Sequence, residues 1–212
     1  MDAVVLASGR GSNLRAICRA IDDGKCEARI VGVVSDKRST AALEFAEARG
    51  IPTGVVPLKK GDDRGQWNAE LADQVASLNP ELVVLAGFMR ILGSPFLERF
   101  PVRIINVHPA LLPSFPGHNG PKDALEGGVR ISGCTVHIVN DGVDTGPIIA
   151  QAAVPVLPDD TPETLHARIQ VQEHRLLPEV INRIALGEIE LNPLKVKVAF
   201  ANPSKSLSVP EV

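Results

Sequence analysis

The chain alternates between short continuous apolar runs and longer stretches in which apolar residues recur at helical spacing. Four of the runs have the pattern of strands buried on both faces, at Ala3–Ala7, Ala28–Val34, Leu82–Gly87 and Val102–Val107. The stretches between them are predicted helices, at Ser12–Asp22, Thr40–Arg49 and Gln66–Leu78. This alternation predicts an α/β fold, with a Rossmann-like, mostly parallel sheet and helices on both faces.

The second half of the chain departs from this alternation. Ile131–Val139 and Pro147–Val156 are joined by the turn-rich segment NDGVDTG, so we expect a C-terminal antiparallel hairpin added to the sheet. Thr161 is a good helix N-cap, and the helical pattern after it continues to about Leu186. Pro178 lies inside this helix, where we expect a kink or a break.

Composition predicts one ordinary globular domain without a nucleic-acid partner. The 212 residues are 44% hydrophobic and 22% charged, with a formal net charge of -3 and no block of like charge. A general nucleic-acid binder presents a basic face. Aromatic residues, at 3%, are too scarce to offer many stacking surfaces to bases.

The cysteines and the apolar segments indicate the compartment. Cys18, Cys26 and Cys134 are odd in number and form no CxxC or Cys/His cluster, which argues for reduced thiols and against a metal site. The N-terminus lacks a basic signal-peptide start. No run approaches the ~20 apolar residues that cross a bilayer. The chain is therefore predicted to be cytoplasmic, with no membrane partner.

The first candidate motif is the segment SGRGSNL, between the first predicted strand and the first predicted helix. Glycine allows close approach of a ligand, and the N–H groups and dipole of a helix start form an anion site, so phosphate binding is one interpretation. A plain turn with Ser12 as N-cap is a second interpretation. A dinucleotide fingerprint is a third, although its third glycine is missing and only Asp36 is near the position of the ribose ligand.

The second motif is NVHPALLP, at the carboxyl end of the fourth predicted strand, which is the edge where open α/β sheets bind ligands. Alternation along a strand puts Asn106 and His108 on the same side. An amide and an imidazole there can both donate to an oxygen that is becoming negative. A purely structural histidine is the alternative, and the adjoining asparagine and proline-rich loop favour a function.

The third motif is DGVDTG, in the loop of the predicted hairpin. Asp141 with Gly142 is typical of turn chemistry. Two roles are possible for Asp144: it could be a turn residue, or its carboxylate could be the partner of a histidine. His137, on the preceding predicted strand, is equally open between packing and support of a site.

Together these segments resemble the glycinamide ribonucleotide formyltransferase family of purine biosynthesis. The resemblance runs to about Ile184 and includes ASGRGSNL, VVSDK, LAGFMRIL, INVHPALLPSFPG, GCTVHIV, DGVDTGPII and QEHRLLPEVI. It implies a formyltransferase domain over residues 1–190, with a phosphate-binding N-terminal half and a folate-binding, catalytic C-terminal half. Beyond it we expect a tail over residues 191–212, with a short strand around Lys195–Phe200 and partial disorder.

The resemblance also implies roles for individual residues. The catalytic trio would be Asn106, His108 and Asp144. The loop that binds the substrate phosphate would comprise Gly11, Ser12, Asn13 and Leu14. Further contacts with the ribonucleotide would come from Gly87, Pro109 and Glu173. The folate would contact Asn106 as well as a second set, Arg64, Met89, Arg90, Ile91 and Leu92.

The implied reaction transfers the formyl group of 10-formyltetrahydrofolate to the amine of 5'-phosphoribosylglycinamide, giving formylglycinamide ribonucleotide and tetrahydrofolate. The amine would attack the formyl carbon directly, with no covalent enzyme intermediate and no metal. Asn106 and a protonated His108 would stabilise the oxyanion, and the Asp144 carboxylate would favour the histidine cation. The partners would be these two small molecules, and the chain would be a monomer or a homodimer.

Two alternatives differ in the residues they need. A formyltetrahydrofolate hydrolase resembles the same catalytic core, but in that family a regulatory domain precedes it, whereas the first predicted strand here begins at Ala3. A non-catalytic nucleotide-binding module would need the glycine-rich loop but not Asn106, His108 and Asp144 together. We therefore expect the transferase.

Overall fold

Seven strands form one mixed sheet in a computed structural model, which describes residues 1–192 and the backbone of residues 197–198. The strands are β1 (Asp2–Leu6), β2 (Arg29–Ser35), β3 (Thr53–Val55), β4 (Leu82–Leu85), β5 (Ile104–His108), β6 (Ile131–Ile138) and β7 (Ile148–Pro155). Their spatial order is β3-β2-β1-β4-β5-β6-β7. The first five are parallel, and β6 and β7 add antiparallel pairings. The predicted sheet and its C-terminal hairpin are confirmed.

The described helices cover both faces of this sheet. They are α1 (Ser12–Asp22), α2 (Ala41–Ala48), α3 (Arg64–Ala76), α4 (Ser94–Leu97), α5 (Gly120–Glu126) and α6 (Pro162–Ala185). A separate two-stranded sheet pairs β8 (Ile189–Glu190) with β9 (Lys197–Val198). The strand expected around Lys195–Phe200 is therefore present as β9. The rest of the expected tail after Asn192 lies outside the described residues.

The apolar strands are buried on both faces because the sheet separates two hydrophobic clusters. Along β1, Ala3 and Val5 belong to one cluster, while Val4 and Leu6 belong to the other. Helices α1, α2 and α6 supply the first cluster, and α3 and α4 supply the second. Successive side chains of a strand point to opposite faces, so a continuous apolar run fits this arrangement where an alternating one would not.

The structure adds three short elements and corrects one local expectation. The sequence pattern did not indicate β3, α4 or α5, which have three, four and seven residues and are too short for a clear periodicity. Helix α6 is continuous through Pro178, so the expected break does not occur. Proline removes one intrahelical hydrogen bond, but Leu177, Val180 and Ile181 around it are fully buried. Their packing in the core stabilises the helix on both sides of the proline, so that it continues without a break.

The three cysteines are buried and unpaired. Burial is the main reason that the pKa of the Cys134 thiol rises to about 12, so this thiol has little nucleophilic character. In the described part of the chain, no helix is both long enough and apolar enough to span a membrane.

The strand order reverses at β1, which pairs with β2 on one side and β4 on the other. Such a switch point leaves a crevice at the carboxyl ends of the strands. The loops after β1 and β4 meet there: the N–H of Ser8 donates to the carbonyl oxygen of Gly87 (3.1 Å), and the Ser8 hydroxyl accepts from the N–H of Met89 (2.9 Å).

Candidate active site at the carboxyl edge of the sheet

A cleft of about 850 Å³ opens at this edge. It is bounded by the loops after β1, β4 and β5, by the hairpin loop between β6 and β7, and by one face of α6. Most of the residues expected from the sequence line it, namely Gly11, Ser12, Asn13, Gly87, Met89, Arg90, Ile91, Leu92, Asn106, His108, Pro109, Asp144 and Glu173. Fold topology thus gathers side chains that are far apart along the chain.

The start of α1 provides unpaired N–H groups at one end of the cleft. Gly11 is the N-cap and has a left-handed backbone (φ 70°), and a Cβ there would lie 2.8 Å from the Cβ of Ala42. The cap is therefore Gly11 and not Ser12, and it makes no side-chain cap hydrogen bond. The N–H of Arg15 donates to the Gly11 carbonyl (3.0 Å), so the N–H groups of the three residues between them have no helical partner.

Asn13 and Glu173 join this helix start to α6. The Asn13 side-chain amide donates to a Glu173 oxygen (3.2 Å), and both residues are at most 7% exposed. Burial, only partly offset by the Asn13 hydrogen bond, raises the pKa of Glu173 to about 7. The side-chain oxygen of Asn13 is buried and has no partner among the described residues, so it is available to a donor on a ligand.

Asn106 and His137 face each other across β5 and β6. They are paired in the strand register, and Nδ2 of Asn106 lies 3.2 Å from Nε2 of His137. Nδ1 of His137 lies 2.9 Å from the carbonyl oxygen of Ile138. His137 is 2% exposed. It therefore fixes the plane of the Asn106 amide.

His108 has an oxygen acceptor at each ring nitrogen. Nδ1 lies 3.4 Å from Oδ2 of Asp144, and Nε2 lies 2.8 Å from the carbonyl oxygen of Phe115. A doubly protonated imidazole satisfies both contacts. The ring is 4% exposed, so these contacts are shielded from water.

Asp144 links both histidines to the loop after β5. Its Oδ1 lies 3.5 Å from Nε2 of His137, and its Oδ2 accepts from the N–H of Gly117 (2.8 Å). Burial by itself raises the pKa of this carboxyl, but the nearby His137 ring, the hydrogen bond from the N–H of Gly117 and the His108 ring together outweigh burial and hold the pKa below its usual value. Asp144 is therefore ionised at neutral pH.

Thr135 anchors the loop that covers His108. Its buried hydroxyl donates to the carbonyl of Ala110 (2.7 Å) and accepts from the N–H of Leu112 (3.0 Å) and from Gln151 (3.0 Å). The loop then places the Phe115 carbonyl on His108. Phe115 itself has a left-handed backbone (φ 56°), a conformation that costs energy for a side chain of this size.

The segment 89–93 forms a fixed wall of the cleft. The Arg90 guanidinium is paired with the fully buried carboxylate of Asp36 (2.7 Å), the Ile91 carbonyl accepts from Arg64 (2.6 Å), and the N–H of Gly93 donates to Asn68 (2.7 Å). The side chains of Met89 and Ile91 are 60% and 63% exposed. They offer apolar surface to a ligand while the backbone is held.

Two expected site residues do not line the cleft. The side chain of Leu14 is fully buried in the core, so only its backbone N–H could reach a phosphate. Arg64 begins α3 and lies over the Trp67 ring at 5.7 Å while it contacts the Ile91 carbonyl. Its contact with folate stays a prediction.

The sequence left His137 open between packing and support of a site, and it did not indicate Asp36 as part of the catalytic cluster. The contact of His137 with Asn106 depends on the pairing of β6 with β5, which the strand pattern alone does not give. Asp36 was weighed only as a ribose ligand. The structure pairs it with Arg90 instead, which removes the acidic residue that the dinucleotide interpretation needed.

Among the described residues, no three His, Cys, Asp or Glu side chains are grouped so that they could hold a metal ion. The cleft is lined by hydrogen-bond donors, histidine rings and carboxylates.

Comparison with known proteins agrees with this geometry. The profile of the family described as Formyl transferase matches residues 1–181. Phosphoribosylglycinamide formyltransferase of Mycobacterium tuberculosis is 50% identical over 182 residues, which cover 86% of this chain and 84% of that protein. The crystal structure of glycinamide ribonucleotide transformylase 1 from Symbiobacterium toebii superposes with a TM-score of 0.89 at 42% identity, covering 93% of both chains.

A further relative is much longer than this chain. The trifunctional purine biosynthetic protein adenosine-3 of Drosophila pseudoobscura pseudoobscura is 47% identical over 187 residues, which cover 87% of this chain but only 14% of that protein. The match therefore concerns one part of the longer protein. By the family profile and by these relatives, the chain belongs to the formyl transferase family.

Proposed function

We propose that this chain transfers the formyl group of 10-formyltetrahydrofolate to the amine of 5'-phosphoribosylglycinamide, in de novo purine biosynthesis. One observation carries the proposal: the cluster of Asn106, His108 and Asp144 and the unpaired N–H groups of α1 lie in the same cleft. A phosphorylated amine bound at the helix start can then reach a group at the end of β5.

The wall beside the cluster suits the cosubstrate. Met89, Ile91 and Val143 present exposed apolar side chains around the cleft, and an aromatic folate ring needs such surface. Because the backbone of segment 89–93 is held by Ser8, Asn68 and Arg64, its polar groups have fixed directions. We propose that the folate lies between this wall and the hairpin loop.

The reaction then proceeds without an enzyme nucleophile. The amine nitrogen forms a bond to the formyl carbon, the bond from that carbon to the folate nitrogen breaks, and a proton moves from the amine to the departing nitrogen. Negative charge develops on the formyl oxygen in between. The Asn106 amide, oriented by His137, donates to this oxygen, and preorganised donors of this kind stabilise such a transition state strongly.

His108 supplies the positive charge and relays the proton: it gives its proton to the departing folate nitrogen and takes up the proton that the attacking amine releases. The ionised Asp144 stabilises its cation. Since the Phe115 carbonyl occupies Nε2 in this structure, that nitrogen can donate to the substrates only after the turn at Phe115 shifts. We therefore propose that folate binding displaces this carbonyl.

A formyltetrahydrofolate hydrolase is the second candidate, since the cluster alone could direct water at the formyl carbon. The helix start favours the transferase, because hydrolysis of the folate needs no phosphate site. Tetrahydrofolate formation, followed with glycinamide ribonucleotide and with water alone, tests this. Product only with the ribonucleotide supports the transferase, and equal rates in both would support the hydrolase.

We propose residues 1–190 as the catalytic domain, working as a monomer or a homodimer in the cytoplasm. The three unpaired cysteines support a reducing compartment.

A further inference from the structure

Arg10 is a cation in the loop that precedes α1. It stands between Gly9 and the N-cap Gly11, and its exposed side chain lines the cleft. Among the described residues it makes no ion pair and no side-chain hydrogen bond that would hold the guanidinium elsewhere. Its charge is therefore free to act on a ligand at the helix start.

His166 lies on the wall of the cleft that α6 forms. It is on the face of α6 that also carries Gln170 and Glu173, at positions i, i+4 and i+7, and all three line the cleft. Seven residues of helix separate His166 from Glu173 by roughly 10 Å. Since Glu173 is bonded to Asn13 of α1, His166 is placed farther along the same wall.

Arg10 and His166 are close enough to repel each other when both are charged. Burial, together with the charge of Arg10, lowers the pKa of His166. Among the described residues, no carboxylate forms an ion pair with either side chain. When both side chains are positively charged, an anion that binds between them offsets their electrostatic repulsion.

We propose that Arg10 and His166 grip the phosphate of the ribonucleotide from opposite sides, with the N–H groups of Ser12 and Asn13 completing the site. The proposal rests on the proposed function for the identity of the substrate. A phosphate monoester carries about -1.5 to -2 charges near neutral pH, which the partial charge of one helix start, about +0.5, does not match. Arg10 supplies the missing full charge.

The other cations of the cleft are committed elsewhere or lie on other loops. Arg90 is held by Asp36 at 2.7 Å, and Lys122 of α5 pairs with Glu126 at 3.6 Å. Lys37 follows β2. Arg10 alone of these belongs to the phosphate loop itself. The unpartnered, buried side-chain oxygen of Asn13 beside it is a second sign that the helix start receives a ligand with donor groups, such as a ribose.

Binding of inorganic phosphate, measured by calorimetry, tests the roles of Arg10 and His166 without any formyl transfer. Arg10→Ala should weaken phosphate binding about tenfold to a hundredfold, as expected for a charged hydrogen bond, and Arg10→Lys should recover part of the loss. His166→Ala should weaken it about three- to tenfold. Arg19→Ala removes a charge from the other end of α1, at an exposed position outside the cleft, and should leave the Kd within about twofold.

Steady-state kinetics give a second readout. Arg10→Ala should raise the KM for glycinamide ribonucleotide while kcat and the KM for folate stay close to the parent values. An unchanged phosphate Kd in Arg10→Ala, with the fold intact by circular dichroism, would overturn the proposal, and an unchanged Kd in His166→Ala would remove His166 from it. If the parent binds phosphate through Arg10 but transfers no formyl group, the phosphate site is supported and the proposed function is contradicted.

Discussion

Asn106 and His137 form a hydrogen-bonded pair across two antiparallel strands, with Nδ2 and Nε2 3.2 Å apart at matched positions of β5 and β6. The pair ties the amide expected to donate to the formyl oxygen to a histidine that the strand framework holds. Orientation of such a donor before the reaction, and not only its presence, determines how much it stabilises the transition state.

Removing the donors should lower turnover. Asn106→Ala and His108→Ala should each reduce kcat by about 10²–10³, with little change in the KM for the ribonucleotide, because neither residue belongs to the helix start. Steady-state kinetics with both substrates varied measure this. Near-parental turnover in either variant would mean that its side chain does not stabilise the oxyanion.

The role of His137 can be separated from that of Asn106 by a double-mutant cycle. His137→Ala should lower kcat less than Asn106→Ala does. If His137 acts by orienting Asn106, the double variant should be no slower than Asn106→Ala alone, since coupled residues are not additive. If the loss of kcat in the double variant equals the product of the two single losses, His137 acts independently of Asn106, through Asp144.

Asp144→Asn should keep the fold and lose activity. Asp144 has a left-handed backbone (φ 53°), which asparagine tolerates well, while the variant lacks the negative charge that lies 3.4 Å from Nδ1 of His108. Asp141→Asn, in the same loop but outside the cleft, is the matched control. Equal kcat in Asp144→Asn and the parent would exclude the charge from the mechanism.

The same variant has a defined pH signature. Because the pKa of Asp144 in the fold lies below its ordinary value of 3.8, the unfolded chain binds the proton first as the pH falls. The charge therefore stabilises the fold above about pH 4, and this contribution is lost progressively as the pH falls from there through the lower pKa of the folded state. Acid unfolding of the parent should show this loss, and Asp144→Asn should not.

Local patterns predicted the parts of the site that depend on one strand or one turn. Alternation along β5 placed Asn106 and His108 at the same edge, and the glycine-rich loop indicated an anion site at α1. Both follow from short-range geometry. The bounds of α1 matched the prediction for the same reason.

The remaining contacts depend on long-range pairing that periodicity does not encode. His137 meets Asn106 only because β6 pairs with β5 in one register, and Asp144 meets His108 only because the hairpin loop returns to the end of β5. The pairing of Asp36 with Arg90 joins the loops after β2 and β4. Local patterns do not separate these residues from ordinary packing or turn residues. They left Asp144 open between a turn residue and the carboxylate partner of a histidine, and the family resemblance favoured the second.

Gly11→Ala should both destabilise the fold and weaken ribonucleotide binding. A left-handed alanine costs about 1–2 kcal/mol, and its Cβ would also meet the Ala42 backbone at 2.9 Å. Gly24→Ala is the control, since Gly24 has a similar backbone (φ 68°) with open space around it. Urea unfolding and the KM for each substrate measure the effects; a KM increase confined to the folate would contradict the assignment of this loop.

Glu173→Gln should change how stability varies with pH. Burial raises the pKa of Glu173 to about 7 in the fold, against 4.5 for a free side chain. Between these values the folded chain keeps a proton that the unfolded chain has lost, so the free energy of unfolding falls as the pH rises through this window and levels off above it. The Glu173→Gln variant does not lose stability in this way. Between about pH 5 and about pH 8, its free energy of unfolding relative to that of the parent should therefore rise by up to ~3 kcal/mol. Urea unfolding of both proteins at the two pH values measures the difference. Parallel pH profiles would show that Glu173 is ionised throughout, and its carboxyl then could not donate a hydrogen bond to the ribonucleotide.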